Sequence, residues 1–399
     1  MEKIMKRSHF RLYKLLILAV ILALAAFIVS ACSEIGSQDA EDEAEAIAAN
    51  PLTGATVEEG FDENALNQRV VAFVVENAPD ARPQFNMDDP EYSPDIVLQG
   101  EVEAGITRML WMYADYNKLP EIIGPMRSAR PPSIRFSELF DAVFIHWGQS
   151  SSKGNYVGAD TVFKKDGVDH INQMSFDESI GLFDRDHTRN VSMEHTGILY
   201  GAKVPEALQH AGFRTEPEEY TRLDFSPATL LDSIVPAEQI RVNYSDVAAW
   251  DRTTWTYNKD DQKYHTANFQ NDFSRDNLLV LLDDTEYVDK QNYKGEIGST
   301  VTYCDYALGG GKGYLLTHGT CKDIEWRVED GKLVLIDVKA TKIAQDRAAQ
   351  AAEDAESSDS EEESGPVEVR AALYPGKTWI GWASANNGGS MEILSGEEE

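Results

Sequence analysis

The sequence has few cysteines and few basic residues for its length. Three of its 399 residues are cysteine, too few for a disulfide-rich scaffold. Lysine and arginine together number 36 against 68 aspartate and glutamate residues, which gives a formal net charge of −32. A chain this acidic repels phosphate backbones and anionic lipid headgroups, so nucleic acid is excluded as a partner of the folded body. The charge itself fits either simple solubility or an acidic binding surface.

Known catalytic signatures are also missing from the sequence. Neither G-x-S-x-G nor H-E-x-x-H occurs, which argues against the common α/β-hydrolases and zinc proteases. The histidines lack the spacing of metal ligands. We therefore predict neither a metal site nor a cofactor.

The N-terminus has the pattern of a lipoprotein signal peptide. Basic residues between Lys3 and Lys14 precede the apolar run Leu15–Val29, which ends in Val-Ser-Ala-Cys. This pattern predicts cleavage after Ala31 and attachment of diacylglycerol to Cys32, so that the lipid anchors the protein in the cell membrane on its extracytoplasmic side. The alternative is an uncleaved anchor helix, for which the apolar run is short.

Composition divides the rest of the chain into a tether and two folded parts. Residues 32–60 form an acidic tether with little hydrophobic pattern. Residues 61–236 are predicted to form a mixed α/β domain, and residues 237–390 a mostly antiparallel β domain of short strands at regular spacing. The acidic, low-complexity segment 342–366 is predicted to be a disordered insertion between two strands. The expected fold class is therefore α+β.

One segment of the N-terminal part, residues 93–148, is predicted to form helix, strand, arginine-containing loop, helix and strand. Its opening Ser-Pro favours a helix start, because serine accepts a free backbone N–H and proline has none at the first helical position. Gly105 would then end that helix. Apolar runs at 106–114 and 141–147 have the length of strands buried on both faces.

Five motifs, in the same order, resemble the YerB-like lipoproteins, a family of unknown function from Gram-positive cell envelopes. A weaker sixth match is the closing strand that begins P-G-K-T-W-I. The resemblance implies the fold and an envelope location, but it implies no established activity. The matching segments are Val75–Gln84, Asp95–Val97, Glu103–Arg108, Ile123–Pro131, Asp141–Gly148 and Pro375–Ile380.

Several arginines lie near predicted strand ends and form the candidate ligand site. Planar guanidinium groups suit carboxylate or phosphate ligands, so an anion would be the ligand. The alternative is that they form buried ion pairs with acidic residues of the same region. The arginines are Arg82, Arg108, Arg127 and Arg130, and the acidic residues are Glu76, Asp95, Glu101, Glu103 and Asp141.

His146 completes the candidate site. It follows an apolar strand and precedes Trp147-Gly148. At a strand end a histidine is placed for acid–base chemistry or for a hydrogen bond to a ligand. A buried histidine with satisfied hydrogen bonds is the alternative.

Outside the signal peptide the remaining cysteines are Cys304 and Cys321. An even pair outside the cytoplasm predicts a disulfide between two short strands, which would stabilise the fold without taking part in chemistry. Two buried free thiols are the alternative.

Two functions fit these observations. In the first, the protein is an envelope lipoprotein that binds an anionic wall component or a partner protein in a crevice formed by the arginines, His146 and the loop Gln149–Gly158. In the second, it is an enzyme acting on a wall polymer or a lipid-linked phosphate, with arginines holding the diphosphate, His146 as the acid, and Asp95 or Glu103 as base or metal anchor.

Overall fold

The computed structural model describes residues 48–227, 235–355 and 367–394. The predicted signal peptide, Cys32 and most of the tether lie outside these ranges. In the part of the chain that is described, no helix combines the length and the apolar character needed to cross a bilayer.

Regular structure in the described residues consists mainly of strands, with four α-helices and several short 3₁₀ turns. The helices are α1 Pro131–Glu138, α2 Ala159–Asp166, α3 Val204–Ala211 and α4 Val338–Ala355. The strands are β1 Val71–Glu76, β2 Ile96–Glu103, β3 Ile106–Tyr113, β4 Ile122–Ile123, β5 Val143–His146, β6 His170–Asn172, β7 Phe183–Arg185, β8 Gly197–Tyr200, β9 Val235–Pro236, β10 Gln239–Asn243, β11 Arg252–Asn258, β12 Lys263–Thr266, β13 Phe273–Arg275, β14 Asn277–Asp283, β15 Thr285–Gln291, β16 Thr300–Tyr306, β17 Gly311–Thr317, β18 Thr320–Glu329, β19 Lys332–Asp337, β20 Thr378–Ser384 and β21 Ser390–Ile393.

A 13-stranded sheet forms the centre of the molecule. Its main path runs β19-β18-β17-β14-β20-β2-β3-β1-β5-β6, with β9, β15 and β16 attached at its sides. Strand β20 pairs in parallel with β2 on one edge and with β14 on the other. The main sheet therefore contains strands from both of the predicted domains. The domain boundary expected at residues 236 and 237 stays a prediction.

Both faces of this sheet are covered, which explains why its central strands read as continuous apolar runs. Every residue of β1, β2 and β20 is buried. Along β14, Leu279 and Leu281 pack into one hydrophobic cluster, whereas Leu278 and Val280 pack into another. Because side chains alternate across a strand, the two clusters lie on opposite faces of the sheet.

Two smaller sheets complete the fold. One has the order β13-β12-β11-β10-β21 and the other β4-β8-β7. The five-stranded sheet packs on the main sheet through Trp255, whose ring centre lies 5.3 Å from that of Trp379 on β20. Its last strand, β21, brings the C-terminal end of the described chain back beside β10.

The helix predicted from Ser93 to Gly105 is wrong, because this segment contains strand β2. Its backbone pairs antiparallel with β3 and in parallel with β20, so both edges are hydrogen-bonded. Gly105 does not end a helix. It has a φ of +76° in the turn between β2 and β3, a conformation that glycine adopts without steric cost.

The remaining elements of that segment are confirmed. Strand β3 and strand β5 occupy the two apolar runs, and α1 lies between them. Helix α1 begins with Pro131-Pro132, where proline loses no intrahelical hydrogen bond.

The predicted disordered insertion is wrong over its first half. Residues 338–355 form helix α4, which follows β19 directly. This segment is rich in alanine, the strongest helix former. Residues 356–366 lie outside the described ranges. The α+β class holds in its coarse form, with strands predominating.

Candidate functional site

Two of the predicted arginines converge on Glu103 at the end of β2. The Nε of Arg130 lies 2.9 Å from Glu103 Oε1, and a second N–H of Arg130 contacts the same oxygen. Arg108 approaches that oxygen at 3.5 Å and donates to the Ser128 carbonyl at 2.7 Å. Burial acts to raise the pKa of Glu103, but Arg108 and Arg130 outweigh it and lower the pKa to about 2.

Arg127 pairs with a different buried carboxylate. Its Nε lies against Glu76, and another of its nitrogens donates to the Glu194 carbonyl at 3.1 Å. His195 Nδ1 lies 3.4 Å from the same Glu76 carboxylate. Glu76 therefore faces one arginine and one histidine.

Arg82 lies apart from these pairs. It donates to the Asn77 carbonyl at 2.9 and 3.1 Å and to the Asn268 carbonyl at 2.5 Å. Its nearest carboxylate is Asp251, at 3.6 Å. Arg82 thus links the end of β1 to the loop between β12 and β13.

The four arginines face carbonyls and acidic side chains, as the ion-pair alternative predicts for Glu76 and Glu103. The other acidic candidates have different partners. Asp141 pairs with Arg69 and Arg214, and Glu101 accepts hydrogen bonds from Gly105, Ser245 and Tyr287. A void beside Arg108 holds about 10 Å³, room for one water molecule at most. A ligand role for the arginines stays a prediction.

His146 is buried with both ring nitrogens engaged. Its Nδ1 lies 2.6 Å from the Gly148 carbonyl, and its Nε2 lies 2.9 Å from His170 Nδ1. A carbonyl oxygen only accepts, so Nδ1 carries the proton and Nε2 accepts from His170. Burial lowers the pKa of His146 to about 3. The arrangement is that of a neutral core histidine with satisfied hydrogen bonds.

The predicted disulfide is not formed. Cys304 and Cys321 are both free and buried. They lie on β16 and β18, which are not neighbours, and their side chains pack into the two clusters on opposite faces of the main sheet. Sulfur atoms on opposite sides of a sheet cannot meet without moving the backbone.

An open cleft of about 560 Å³ lies at another edge of the sheet, where three parallel strands begin. Asp95 immediately precedes β2, Lys377 precedes β20, and Arg275-Asp276 precede β14. Because these strands run in the same direction side by side, the residues before them meet at one edge. We call this region the Lys377 cleft. It is defined by Ser93, Asp95, Tyr113, Arg275 and Lys377.

Lys377 is held against Ser93. Its Nζ lies 2.7 Å from the Ser93 carbonyl oxygen, 2.9 Å from Ser93 Oγ and 3.4 Å from the Glu91 carbonyl oxygen. Burial lowers the pKa of Lys377 to about 8, although the nearby Asp95 opposes that shift. The amine therefore loses its proton much closer to neutral pH than an exposed lysine does.

Arg275 and Tyr113 bring unsatisfied donors to the same cleft. Arg275 donates to the Ser274 carbonyl at 2.7 Å and to the Pro94 carbonyl at 3.1 Å, but its buried Nε has no hydrogen-bond partner in the described part of the chain. The buried hydroxyl of Tyr113 has none either. Burial lowers the pKa of Arg275 to about 9, so it stays charged at neutral pH.

Acidic side chains line the Lys377 cleft around Arg275 and Lys377. Asp95 accepts a hydrogen bond from the Ala114 amide at 2.9 Å, and burial raises the pKa of Asp95. Across the described ranges, no cluster of histidine, cysteine or acidic side chains is arranged to hold a metal ion. Two further lysines, Lys118 and Lys263, line the cleft, together with the carboxylates of Glu59, Asp88, Asp89, Glu91, Asp115, Asp261 and Asp276.

Sequence reasoning found only part of this cleft. Asp95 was a candidate base, and Lys377 lies within the weakly matching closing motif, so the motifs carried a signal for both. The isolated Arg275 carried none. The incorrect helix prediction at Ser93 concealed the cleft. That three strands start side by side at one edge of the sheet can be recognised only when residues 96–103 are assigned to strand β2.

The matching family models and a similar known protein point to the same family. The N-terminal and C-terminal domain models of the protein of unknown function DUF3048 match residues 52–214 and 240–347. The Bacillus subtilis (strain 168) protein named "Putative lipoprotein YerB" is 26% identical over 297 residues, covering 71% of this chain and 79% of the relative.

A solved structure has the same fold. The crystal structure of YerB from Bacillus subtilis aligns with a TM-score of 0.60 at 23% identity, covering 86% of this chain and 99% of the other. The fold and both domain models thus confirm the resemblance seen in the motifs. This chain belongs to the DUF3048 family, the YerB-like lipoproteins.

Proposed function

We propose that this protein is a lipid-anchored binding protein on the extracytoplasmic side of the cell membrane, and that it binds an anionic component of the cell envelope in the Lys377 cleft. The signal pattern ending at Cys32 and the name of the Bacillus subtilis relative support the anchor. The cleft replaces the arginine crevice as the proposed binding site because it is open, with a volume of about 560 Å³. Among the described residues Arg108 Nε and Arg127 Nε also lack a hydrogen-bond partner, but their guanidinium groups face Glu103 and Glu76, and the void beside Arg108 holds only about 10 Å³.

One observation carries the choice of site. The Tyr113 hydroxyl and Arg275 Nε are buried, their residues line the cleft, and neither group has a hydrogen-bond partner among the residues that the structure describes. A buried polar group without a partner costs about 1–3 kcal/mol. An oxygen that accepts from both donors removes this cost. A carboxylate or phosphate oxygen does so best, because Arg275 and Lys377 add positive charge at the same place.

The acidic rim narrows the class of ligand. Exposed carboxylates such as Asp88 and Glu91 line the cleft and outnumber its two further lysines, Lys118 and Lys263, and the whole chain is strongly acidic. A densely charged polyanion is repelled by this rim. The expected ligand therefore carries one anionic group on a body that is neutral or bears an amine.

Calorimetric titration of the full chain in detergent micelles tests the binding site. The probes are acetate, inorganic phosphate and muramic acid, a carboxylate-bearing wall sugar. Tyr113→Phe removes only the hydroxyl and should weaken binding about tenfold, the worth of one good hydrogen bond. Tyr200→Phe is the matched control, since its hydroxyl bonds to Asp184 instead of lining the cleft.

Equal binding by both tyrosine variants would reject the cleft as the site. Arg127→Ala, measured in parallel, tests the arginine crevice that the sequence predicts. A loss of binding in this variant alone would mean that the ligand binds at the arginines. If no probe binds at all, the choice of an anionic ligand is wrong.

Metabolic labelling tests the anchor. With an alkyne analogue of palmitate, the native chain should carry the label, and Cys32→Ala should lose both the label and its retention in the membrane. Protease added to intact cells should degrade the folded body. Protection from that protease would contradict the extracytoplasmic location.

A further inference from the structure

We infer that Ser93 and Lys377 form a serine–lysine dyad that cleaves an ester or amide bond in the Lys377 cleft. This inference rests on the proposed cleft but adds catalysis to binding. Both residues line the cleft, and their side chains are 2.9 Å apart. A serine becomes a nucleophile when an adjacent base removes its proton, and lysine serves as that base when it is neutral.

As an ammonium, Lys377 donates to all three oxygens around it, and its neutral form can keep two of these contacts. An uncharged amine has two N–H donors and one lone pair. The two donors match the carbonyl oxygens of Ser93 and Glu91, at 2.7 and 3.4 Å. The lone pair is then left for the third contact, the Ser93 hydroxyl, which turns from acceptor to donor. When Lys377 is deprotonated, its lone pair therefore faces the Ser93 hydroxyl proton that it must accept.

The backbone holds Ser93 in place for this role. Its amide donates to the Asp89 carbonyl at 3.1 Å, and the next residue, Pro94, has a rigid ring and a carbonyl that accepts from Arg275. Lys377 is held equally firmly, because its amide donates to Asp276 at 2.8 Å and the following strand pairs with β2 and β14. Both groups thus sit on the starts of paired strands of one sheet, which keeps their geometry fixed.

The reaction also requires donors that stabilise the developing negative charge, and the unpartnered donors of the cleft can take this role. Acyl transfer puts negative charge on the substrate carbonyl oxygen, and N–H and O–H donors that are already in place stabilise it. Tyr113 Oη–H and Arg275 Nε–H are buried, belong to residues that line the same cleft, and have no hydrogen-bond partner within the described ranges. We assign to them the role of holding this oxygen.

The reaction balances without a cofactor. Ser93 Oγ forms a bond to the acyl carbon while its proton moves to Lys377 Nζ. The C–N or C–O bond of the substrate then breaks, and the leaving amine or alcohol takes the proton from Lys377. Water attacks the acyl-serine, gives a proton to Lys377 and releases the acid, and Ser93 recovers that proton. The net change is hydrolysis of one ester or amide by one water.

A serine-reactive fluorophosphonate probe tests the dyad on the full chain in detergent micelles. The native protein should be labelled at Ser93, as located by mass spectrometry. The rate should rise with pH through a midpoint of about 8, where Lys377 loses its proton. Ser137→Ala is the control, since it removes another buried serine hydroxyl that lies away from the cleft, and it should be labelled as fast as the native protein.

Lys377→Arg separates catalysis from structure. Arginine keeps a cation and donors beside Ser93 but cannot act as a base at these pH values. The dyad predicts a loss of at least about 100-fold in labelling rate, within the usual range for general-base catalysis. Equal labelling of the native protein and Lys377→Arg would overturn the dyad, and so would an unlabelled native protein at pH 9.

Ser93→Ala distinguishes this inference from the proposed function. It should abolish labelling but leave binding of the anionic probes within about twofold, because the serine hydroxyl is not one of the proposed anion donors. An unlabelled native protein that still binds the anions rejects the dyad alone. Labelling at Ser93 with no anion binding rejects the proposed ligand class alone.

Discussion

Arg130 donates two guanidinium N–H groups to a single carboxylate oxygen of Glu103. The pair is buried, and Arg108 approaches the same oxygen from the neighbouring strand. Two positive charges therefore depend on one negative charge inside the molecule. Such an arrangement is costly to break, since it leaves charges buried without compensation.

Glu103→Gln should lower the free energy of unfolding by about 3–5 kcal/mol, the usual cost of removing one partner from a buried ion pair. The glutamine keeps the shape of the side chain but cannot neutralise Arg108 and Arg130. Urea denaturation followed by circular dichroism measures the change. A loss below about 1 kcal/mol, the range of exposed pairs, would show that water reaches these arginines.

The control is a more exposed ion pair. Asp305 accepts from Arg135 at 2.7 Å, and about a third of each side chain is exposed. Solvent screens such a pair, so Asp305→Asn should cost roughly 1 kcal/mol or less.

The neutral, buried His146 should make the protein less stable in acid. Its pKa is about 3 in the folded protein and about 6.5 in an unfolded chain. Between these values the unfolded state binds the extra proton, so this residue lowers the free energy of unfolding as the pH falls from about 6.5 to 3. The full effect is on the order of 5 kcal/mol.

Urea denaturation at a series of pH values measures this slope. His146→Gln should be less stable at neutral pH but should show a shallower decline below pH 6.5. The exposed His187 provides the control, and His187→Gln should keep the native slope. Parallel curves for all three proteins would mean that His146 gains its proton without cost.

Cys304 and Cys321 should behave as buried free thiols. Burial raises the pKa of both, to about 12 for Cys321, so almost no thiolate forms at neutral pH. Ellman's reagent should react slowly with the folded protein and should titrate both thiols after denaturation in urea. An intramolecular disulfide, seen as a mass increase of about 2 Da after reduction, would contradict the placement of the two strands.

The two halves of the chain should unfold together. Strand β20 lies between β2 and β14, and its removal would leave a long hydrogen-bonding edge of β2 without a partner. Circular dichroism and tryptophan fluorescence should therefore report one coincident transition for the full chain. A fragment of residues 48–236 should show no cooperative transition. A fragment that melts cooperatively would support the domain boundary predicted near residue 236.

Local sequence patterns succeeded where an element depends on its own residues. The apolar run of β3 is long enough to be read as a strand, and Pro131-Pro132 mark the start of α1. Asp330 and Gly331, both with positive φ, form the turn between β18 and β19, and such a residue pair is a local signal for a hairpin turn. These signals need no distant partner.

Patterns failed where a distant strand decides the outcome. Ser93-Pro94 is a good local start for a helix, but residues 96–103 gain two hydrogen-bonded neighbours only as strand β2. One of these neighbours, β20, lies some 280 residues further along the chain. No local sequence window contains that partner. Strand pairing in the folded protein therefore overrides the local helix propensity.

The sequence by itself determined the family, the lipoprotein signal pattern, the acidic character and most strand positions, because each of these depends on residues that are neighbours in the chain. Only the tertiary structure decided which charges meet. It placed Arg108 and Arg130 on Glu103, it separated Cys304 from Cys321 across the sheet, and it brought Ser93 to Lys377. Side-chain chemistry acts over a few ångströms, and the sheet alone sets those distances between residues far apart in sequence.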